Sequence, residues 1–253
     1  ASAARCEYAL LRVFDAKLGW GPTPPRDDEL LARTATLGDA HEAHHLAELQ
    51  KRFGSGVASI PFPPTFTLDG LNAAAAATKR AFDDGHPVVY QAAMFDGRFL
   101  GFADFVVRES QTYRVCDTKL ARSAKVTALL QLAAYADSLM AADVPVSPEV
   151  RLILGDRSTV DYPVADLVGV YRQRRIQLQD LLDRHLSGGA AVQWSDARVR
   201  ACFRCPACEP EVDRTDDLLL VAGMRISQRA ALLEAGVGTV AELATRVEPV
   251  PDL

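Results

Sequence analysis

Aromatic residues are scarce, at 7% of 253 positions, with two tryptophans and three methionines. So few rings leave little for extensive base stacking on the surface. Positive charge is not in excess either: 28 Lys and Arg stand against 33 Asp and Glu, for a net charge of −5 and a pI near 5.6. This balance argues against a nucleic-acid binder that uses its whole surface, while leaving room for a local basic groove. No run reaches the roughly 20 apolar residues that cross a bilayer, since Gln131 and Tyr135 interrupt the longest candidate; no membrane partner is expected. The opening Ala1-Ser2-Ala3-Ala4-Arg5 lacks an apolar signal core, and the missing Met is what a trimmed or tagged chain would show.

Cysteine is also sparse, with five residues, an odd number that argues against a disulfide framework in a chain without a secretory leader. Three of the five crowd into Cys202-Phe-Arg-Cys205-Pro-Ala-Cys208, while Cys6 and Cys116 stand apart. That clustering points to a metal site in a reducing compartment, the cytoplasm. The composition, 49% apolar and 24% charged, is that of a globular protein and excludes a disordered chain, a collagen-like repeat or a disulfide mini-scaffold. At this length a full core forms without help from a metal.

Periodicity and breakers predict helices over residues 6–19 and 28–53, the second carrying Leu31, Leu37, Leu46 and Leu49. The Pro22–Pro25 stretch is a connection, residues 54–64 read as loop and 71–82 as a short helix. Strands are expected at 88–95 and 98–108, flanking the turn signal Asp96-Gly97, and at 112–119, forming an antiparallel meander. A helix over 123–142 then leads to a strand at 150–154. This crossover places the fourth strand parallel to the third. A last long helix covers 164–186. The expected fold class is therefore α/β, a sheet with helices against it. Residues 1–216 form the main domain and 217–253 an appendix. There, helices at 227–234 and 240–246 are joined through 235–239. The pair reads either as a helix-hairpin-helix whose amides hold a DNA phosphate or as a plain αα-hairpin.

Strand alternation puts Asp104 on one face with Leu100, Phe102 and Val106. Tyr113, Val115, Asp117 and Lys119 share a face of the next strand, with Cys116 and Thr118 directed the other way. An acid on an apolar face needs a cation or hydrogen bonds to compensate it. Two strand carboxylates beside a lysine suit metal-assisted phosphodiester cleavage: the acids hold a divalent ion, and the ion and ammonium stabilise charge on the phosphate and attacking water. Alone, Asp117-Thr118-Lys119 could equally be a surface ion pair. Its neighbours are Gly38-Asp39-Ala40-His41 upstream and Gln131 and Tyr135 downstream, the latter pair at i, i+4.

The ordered set Gly38/His41, Gly101-Phe102-Ala103-Asp104, Asp117-Thr118-Lys119 and Gln131-x-x-x-Tyr135 resembles the RecB-like branch of the PD-(D/E)XK nuclease superfamily. With Cys6 near one end and three cysteines near the other, it resembles the iron–sulfur subgroup, which includes CRISPR-associated exonucleases and the nuclease domains of helicase–nucleases. The likeness covers residues 6–208. It implies a restriction-endonuclease-like core and DNA hydrolysis, with an exonuclease acting on single-stranded ends. His41, Asp104, Asp117 and the Thr118 carbonyl would ligate Mg²⁺ or Mn²⁺. Lys119 would activate water, and Gln131 and Tyr135 would position the strand and the carboxylates. A hard divalent ion does prefer such oxygen ligands, and the imidazole fits tolerance of Mn²⁺. A helicase or second nuclease module, fused or associated, is an expected partner.

Cys6, Cys202, Cys205 and Cys208 supply four thiolates, enough for a [4Fe–4S] cluster or for zinc. The tight triple run and the resemblance favour the cluster in a structural role, although only Pro206-Ala207 precedes the last cysteine, where the subgroup commonly has a wider gap. Cys116 is expected to be buried behind the active strand. Arg122 and Lys125, directly after that strand, are the expected DNA-backbone contacts.

Two rivals accompany this reading. His41-Glu42-Ala43-His44-His45 matches the H-E-x-x-H pattern of zinc metalloproteases, with His41 and His45 as ligands and Glu42 as base. It leaves both aspartates, Lys119 and the cysteines unexplained, and His44 and His45 read more simply as a solvated helix face. The other rival is a DNA-binding scaffold with a degenerate site, which the intact His, Asp, Asp and Lys set argues against.

Overall fold

Strands rich in valine and alanine form the middle of the sheet, and helices cover it because those strands bury apolar residues on both faces. A computed structural model describes residues 6–24, 28–194 and 196–247, with only the backbone for 28–34. The first five residues, Pro25, the Leu31 side chain and the final residues from 248 on lie outside what is described.

The elements in chain order are α1 (Glu7–Leu18), α2 (Asp28–Phe53), β1 (Val57–Ser59), α3 (Leu68–Asp83), β2 (Val88–Phe95), β3 (Leu100–Glu109), β4 (Thr112–Thr118), α4 (Val126–Ala141), β5 (Glu149–Ile153), β6 (Thr159–Pro163), α5 (Val164–Gly188), α6 (Glu209–Arg214), α7 (Ile226–Glu234) and α8 (Val240–Thr245). The chain divides into two units, Asp28–Gln177 and the combination of Ala1–Asp27 with Leu178–Leu253. No helix among the described residues is long and apolar enough to cross a membrane.

The first unit is an α/β sheet of six strands in the order β1-β2-β3-β4-β5-β6. The meander β2-β3-β4 is antiparallel and β5 runs parallel to β4, as the crossover through α4 predicts. One face buries Val89, Val106, Val115 and Leu152 against Leu132 and Leu139 of α4 and Ala74 and Ala81 of α3. The other buries Val88, Phe105, Cys116 and Ile153 against Leu46 and Leu49 of α2.

The structure adds to or departs from these expectations at four points. The 54–64 loop contains β1, paired in parallel with β2, and β6 lies antiparallel to β5 on the opposite edge. Three residues carry no readable period, and both edge strands exist through their partners. Leu37 is 59% exposed and takes no part in the core. The hairpin turn is wider than two residues, because Asp96 Oδ1 accepts the amides of Arg98 (2.9 Å) and Phe99 (2.7 Å), delaying β3 to Leu100.

In the second unit, Tyr8 and Leu11 of α1 pack with Leu181, Val192, Cys6 and Cys208. Asp15 is fully buried there, accepting from the Val192 amide at 2.9 Å and paired with His185 Nε2 at 2.5 Å. The appendix has its own small core of Leu218, Leu232 and Val237.

Candidate metal centres

Hydrogen bonding between β3 and β4 runs in register as far as Phe105 opposite Cys116. Beyond that pair the strands fork, and the next residues are Asp104 and Asp117. Asp104 Oδ2 accepts the Thr118 amide at 2.8 Å and the Thr118 hydroxyl at 2.7 Å, so a carboxylate replaces the next rungs of the ladder. This corrects the expected alternation: the Thr118 side chain turns toward Asp104 because the fork breaks the pleat.

Asp117 is fully buried, and among the described residues the Lys119 ammonium is the one partner its carboxylate has. The Lys119 ammonium stands against Oδ2 as an ion pair, and the Lys119 amide is tied to β5 through the Ile153 carbonyl at 2.9 Å. Burial above all, and then the charge of Asp104, push the Asp117 carboxyl up to about 7, against the pull of Lys119. A buried acid in this condition is costly unless a cation or proton compensates it.

α4 brings Gln131 and Tyr135 to the same fork. Gln131 Nε2 donates to the Tyr135 hydroxyl at 2.9 Å, and burial raises that hydroxyl to about 12. The ring lies where any Gly101 side chain would be, since a Cβ there would stand 2.6 Å from it. Glycine is thus required at this position by close approach.

α2 contributes His41, whose Nε2 is buried without a partner, and Glu42 beside it. Glu42 accepts hydrogen bonds from Gln91 and Tyr90, and burial, followed by the charge of Asp104, raises its pKa. Gln91 sits opposite Asp104 with φ of +53°, a left-handed conformation in mid-strand that turns its amide onto Glu42. Tyr90 and Gln91 were not expected at this site, and Glu42 was singled out only as the base of the H-E-x-x-H pattern; a lone glutamine within an apolar strand was the signal for Gln91. The Asp104 and Asp117 carboxylates and the unpartnered His41 Nε2 are a donor set of the kind that suits a divalent cation.

The remaining expected residues are placed as follows. Cys116 is buried on the far face, its thiol pushed up to about 12 by burial, as expected of a bystander. Arg122 and Lys125 are exposed in the segment after β4, Lys125 capping α4. His44 is exposed beside Glu48, whereas His45 packs edge-on against Phe105 with its Nδ1 toward Glu48 at 3.5 Å. In the appendix the Gly238 and Thr239 amides are both taken by the Glu242 carboxylate, at 2.7 and 3.1 Å.

The second unit gathers Cys6, Cys202, Cys205 and Cys208, with all four sulfurs within 4.8 Å of one another. Cys6 caps α1, its sulfur accepting the Ala9 amide, and lies 3.5 Å from Cys208, which is 4.0 Å from Cys202. The Arg200 carbonyl accepts the Glu7 amide at 2.9 Å and so fixes the α1 end to the strand of chain before Cys202. Burial opposes ionisation of Cys202, but the Arg204 amide and neighbouring thiols outweigh it and hold its pKa below that of a free thiol. A sulfur quartet is a fitting donor set for zinc or an iron–sulfur cluster.

No protein-family model matches this chain, and no curated protein matches it.

Proposed function

We propose that the chain is a divalent-metal-dependent DNA nuclease with a restriction-endonuclease-like core, an exonuclease acting on single-stranded ends. The observation that carries the reading is Asp117: a fully buried carboxylate, ion-paired to Lys119 and facing Asp104 across a strand fork. Asp104, Asp117, His41 and the Thr118 carbonyl would hold Mg²⁺ or Mn²⁺, which when bound supplies Lewis-acid stabilisation of a phosphate and a more acidic water. Lys119 neutralises phosphate charge and orients the water. Thr118 holds Asp104 through two hydrogen bonds, and the Gln131–Tyr135 pair, seated on Gly101, fixes the wall beside both aspartates. Arg122 and Lys125, both exposed, would meet the DNA backbone. End-labelled single and double strands, incubated with Mg²⁺ or Mn²⁺ and then with excess chelator, test this. Cleavage that stops with chelation and is absent in Lys119→Ala supports it; full cleavage by Lys119→Ala overturns it.

The quartet, on this reading, holds a structural [4Fe–4S] cluster, supported by the tight Cys-x-x-Cys-x-x-Cys run. The spacing favours a second reading: a single tetrahedral ion with bonds of about 2.3 Å sets its sulfurs about 3.8 Å apart, close to the 3.5 and 4.0 Å found. A brown anaerobic protein with iron and sulfide supports the cluster, and a colourless one with one zinc supports the ion.

A further inference from the structure

Aromatic residues are few, yet three of the ten phenylalanines gather beside the carboxylate fork. Phe62 and Phe66 lie in the connection from β1 to α3 and are 54% and 63% exposed. Phe62 stacks on Phe102 with centroids 4.2 Å apart and planes at 30°, and Phe66 meets the same ring edge-on at 6.3 Å. Phe102 is two residues from Asp104 on β3, and its amide hydrogen-bonds the Tyr135 hydroxyl.

The connection is braced rather than slack. Pro61, Pro63 and Pro64 restrict its backbone. At one end the Ile60 amide donates to the Tyr90 carbonyl at 3.0 Å, and at the other Thr67 caps α3 by accepting the Gly70 amide at 3.2 Å. A Cβ on Gly70 would stand 3.0 Å from the Thr65 carbonyl and 3.3 Å from Pro63, so the loop packs closely on the helix start. A stiff loop that holds two phenyl rings in water pays no ordering cost when something covers them, and the exposed apolar area is otherwise unfavourable.

We propose that Phe62, Phe66 and Phe102 form a stacking platform for the unpaired bases of a single-stranded nucleic acid whose backbone lies at Asp104 and Asp117. The inference rests on reading that fork as a phosphodiester-cleaving site, and it assigns the residues that would hold an unpaired strand there. Phenyl faces stack on any base and offer no hydrogen bonds for reading sequence. A base within a duplex has both faces covered and is unavailable to them. The platform therefore selects unpaired strands irrespective of sequence.

The test uses the full chain and an oligodeoxynucleotide carrying 2-aminopurine, with Ca²⁺ in place of Mg²⁺ and the strand verified intact afterwards. Wild-type protein quenches the fluorophore at one or two positions. Phe62→Ala and Phe66→Ala each weaken binding about tenfold and together abolish the quench, with an unchanged melting curve, because both rings are exposed. A matched oligonucleotide with abasic sites at the quenched positions binds wild type and the double variant equally. Unchanged affinity and quench in the double variant overturn the platform, as does an equal loss on the abasic strand or on blunt duplex. An unchanged oligonucleotide affinity with loss of a co-purifying protein assigns the patch to a protein partner and also overturns it. Cleavage is assayed separately with Mg²⁺ and Mn²⁺: if wild type cuts no strand while the quench behaves as stated, the nuclease reading fails and the platform stands as a binding site.

Discussion

Asp104 and Asp117 stand on neighbouring strands of a sheet whose core of valines, leucines and alanines is complete without them. The four thiols come from positions up to 202 residues apart and belong to the core of a unit with far fewer large buried side chains. In the sheet, a rigid scaffold holds charged groups in a condition that opposes folding; in the other unit, the polarizable groups are themselves what joins the chain's two ends. Stability and function are therefore expected to separate at the fork and to coincide at the quartet.

The largest effect expected is on chemistry alone. Asp117→Ala should reduce metal-dependent cleavage by about a thousandfold or more while the chain still folds, with an unchanged circular dichroism spectrum and a cooperative melting transition. A fold lost with the activity would erase the contrast between the two regions. Next in size, Cys208→Ser should remove bound metal and cost several kcal/mol in the thiol unit, read as early proteolysis of α1 and the 196–216 segment while the sheet remains protected from hydrogen exchange.

Asp117 also sharpens the comparison through pH. Its pKa is raised from 3.8 to about 7 on folding, so the folded metal-free chain binds the proton more tightly than the unfolded one. Stability is full below about 3.8 and declines as pH rises toward 7, by an amount on the order of a few kcal/mol. Asp117→Asn in chelator should flatten that slope and raise the melting temperature at pH 7.5, measured by calorimetry across the range. Gly101→Ala pushes a methyl into the Tyr135 ring, with an expected cost of about 1–3 kcal/mol and a larger fall in kcat than in KM. The smallest effect is in the appendix, where Glu242→Ala frees the Gly238 and Thr239 amides at about 1 kcal/mol. A gain in DNA affinity there would show that the carboxylate had been blocking a phosphate site.

Most of the fold was legible because long apolar runs with a clear period leave few alternatives: α2, the meander, the crossover through α4 and the parallel β4–β5 pairing follow from them. β1 and β6 were not, since a three-residue strand and a polar edge strand exist by pairing, which no local window contains. At the site, strand alternation put Asp104 on an apolar face and aligned Asp117 with Lys119, while the roles of Gln131 and Tyr135 came from the family resemblance alone. Glu42 was legible only as part of the H-E-x-x-H pattern, and Tyr90 and Gln91 could not be read, because a positive φ in mid-strand turns Gln91 off the regular alternation. Thr118 was misdirected for the same reason: pleat arithmetic fails where two strands part.

The residue types that can hold a metal, the strands that carry two of them and the isolation of Cys116 were determined by the amino-acid sequence itself, through periodicity and composition. Tertiary structure alone decided that Asp117 is fully buried, that Glu242 occupies the hairpin amides, that Cys6 meets Cys208, and that Phe62 lies flat on Phe102. Each of these depends on groups distant in sequence, or on a side chain competing with the backbone, and a period of two or 3.6 residues carries no information about either.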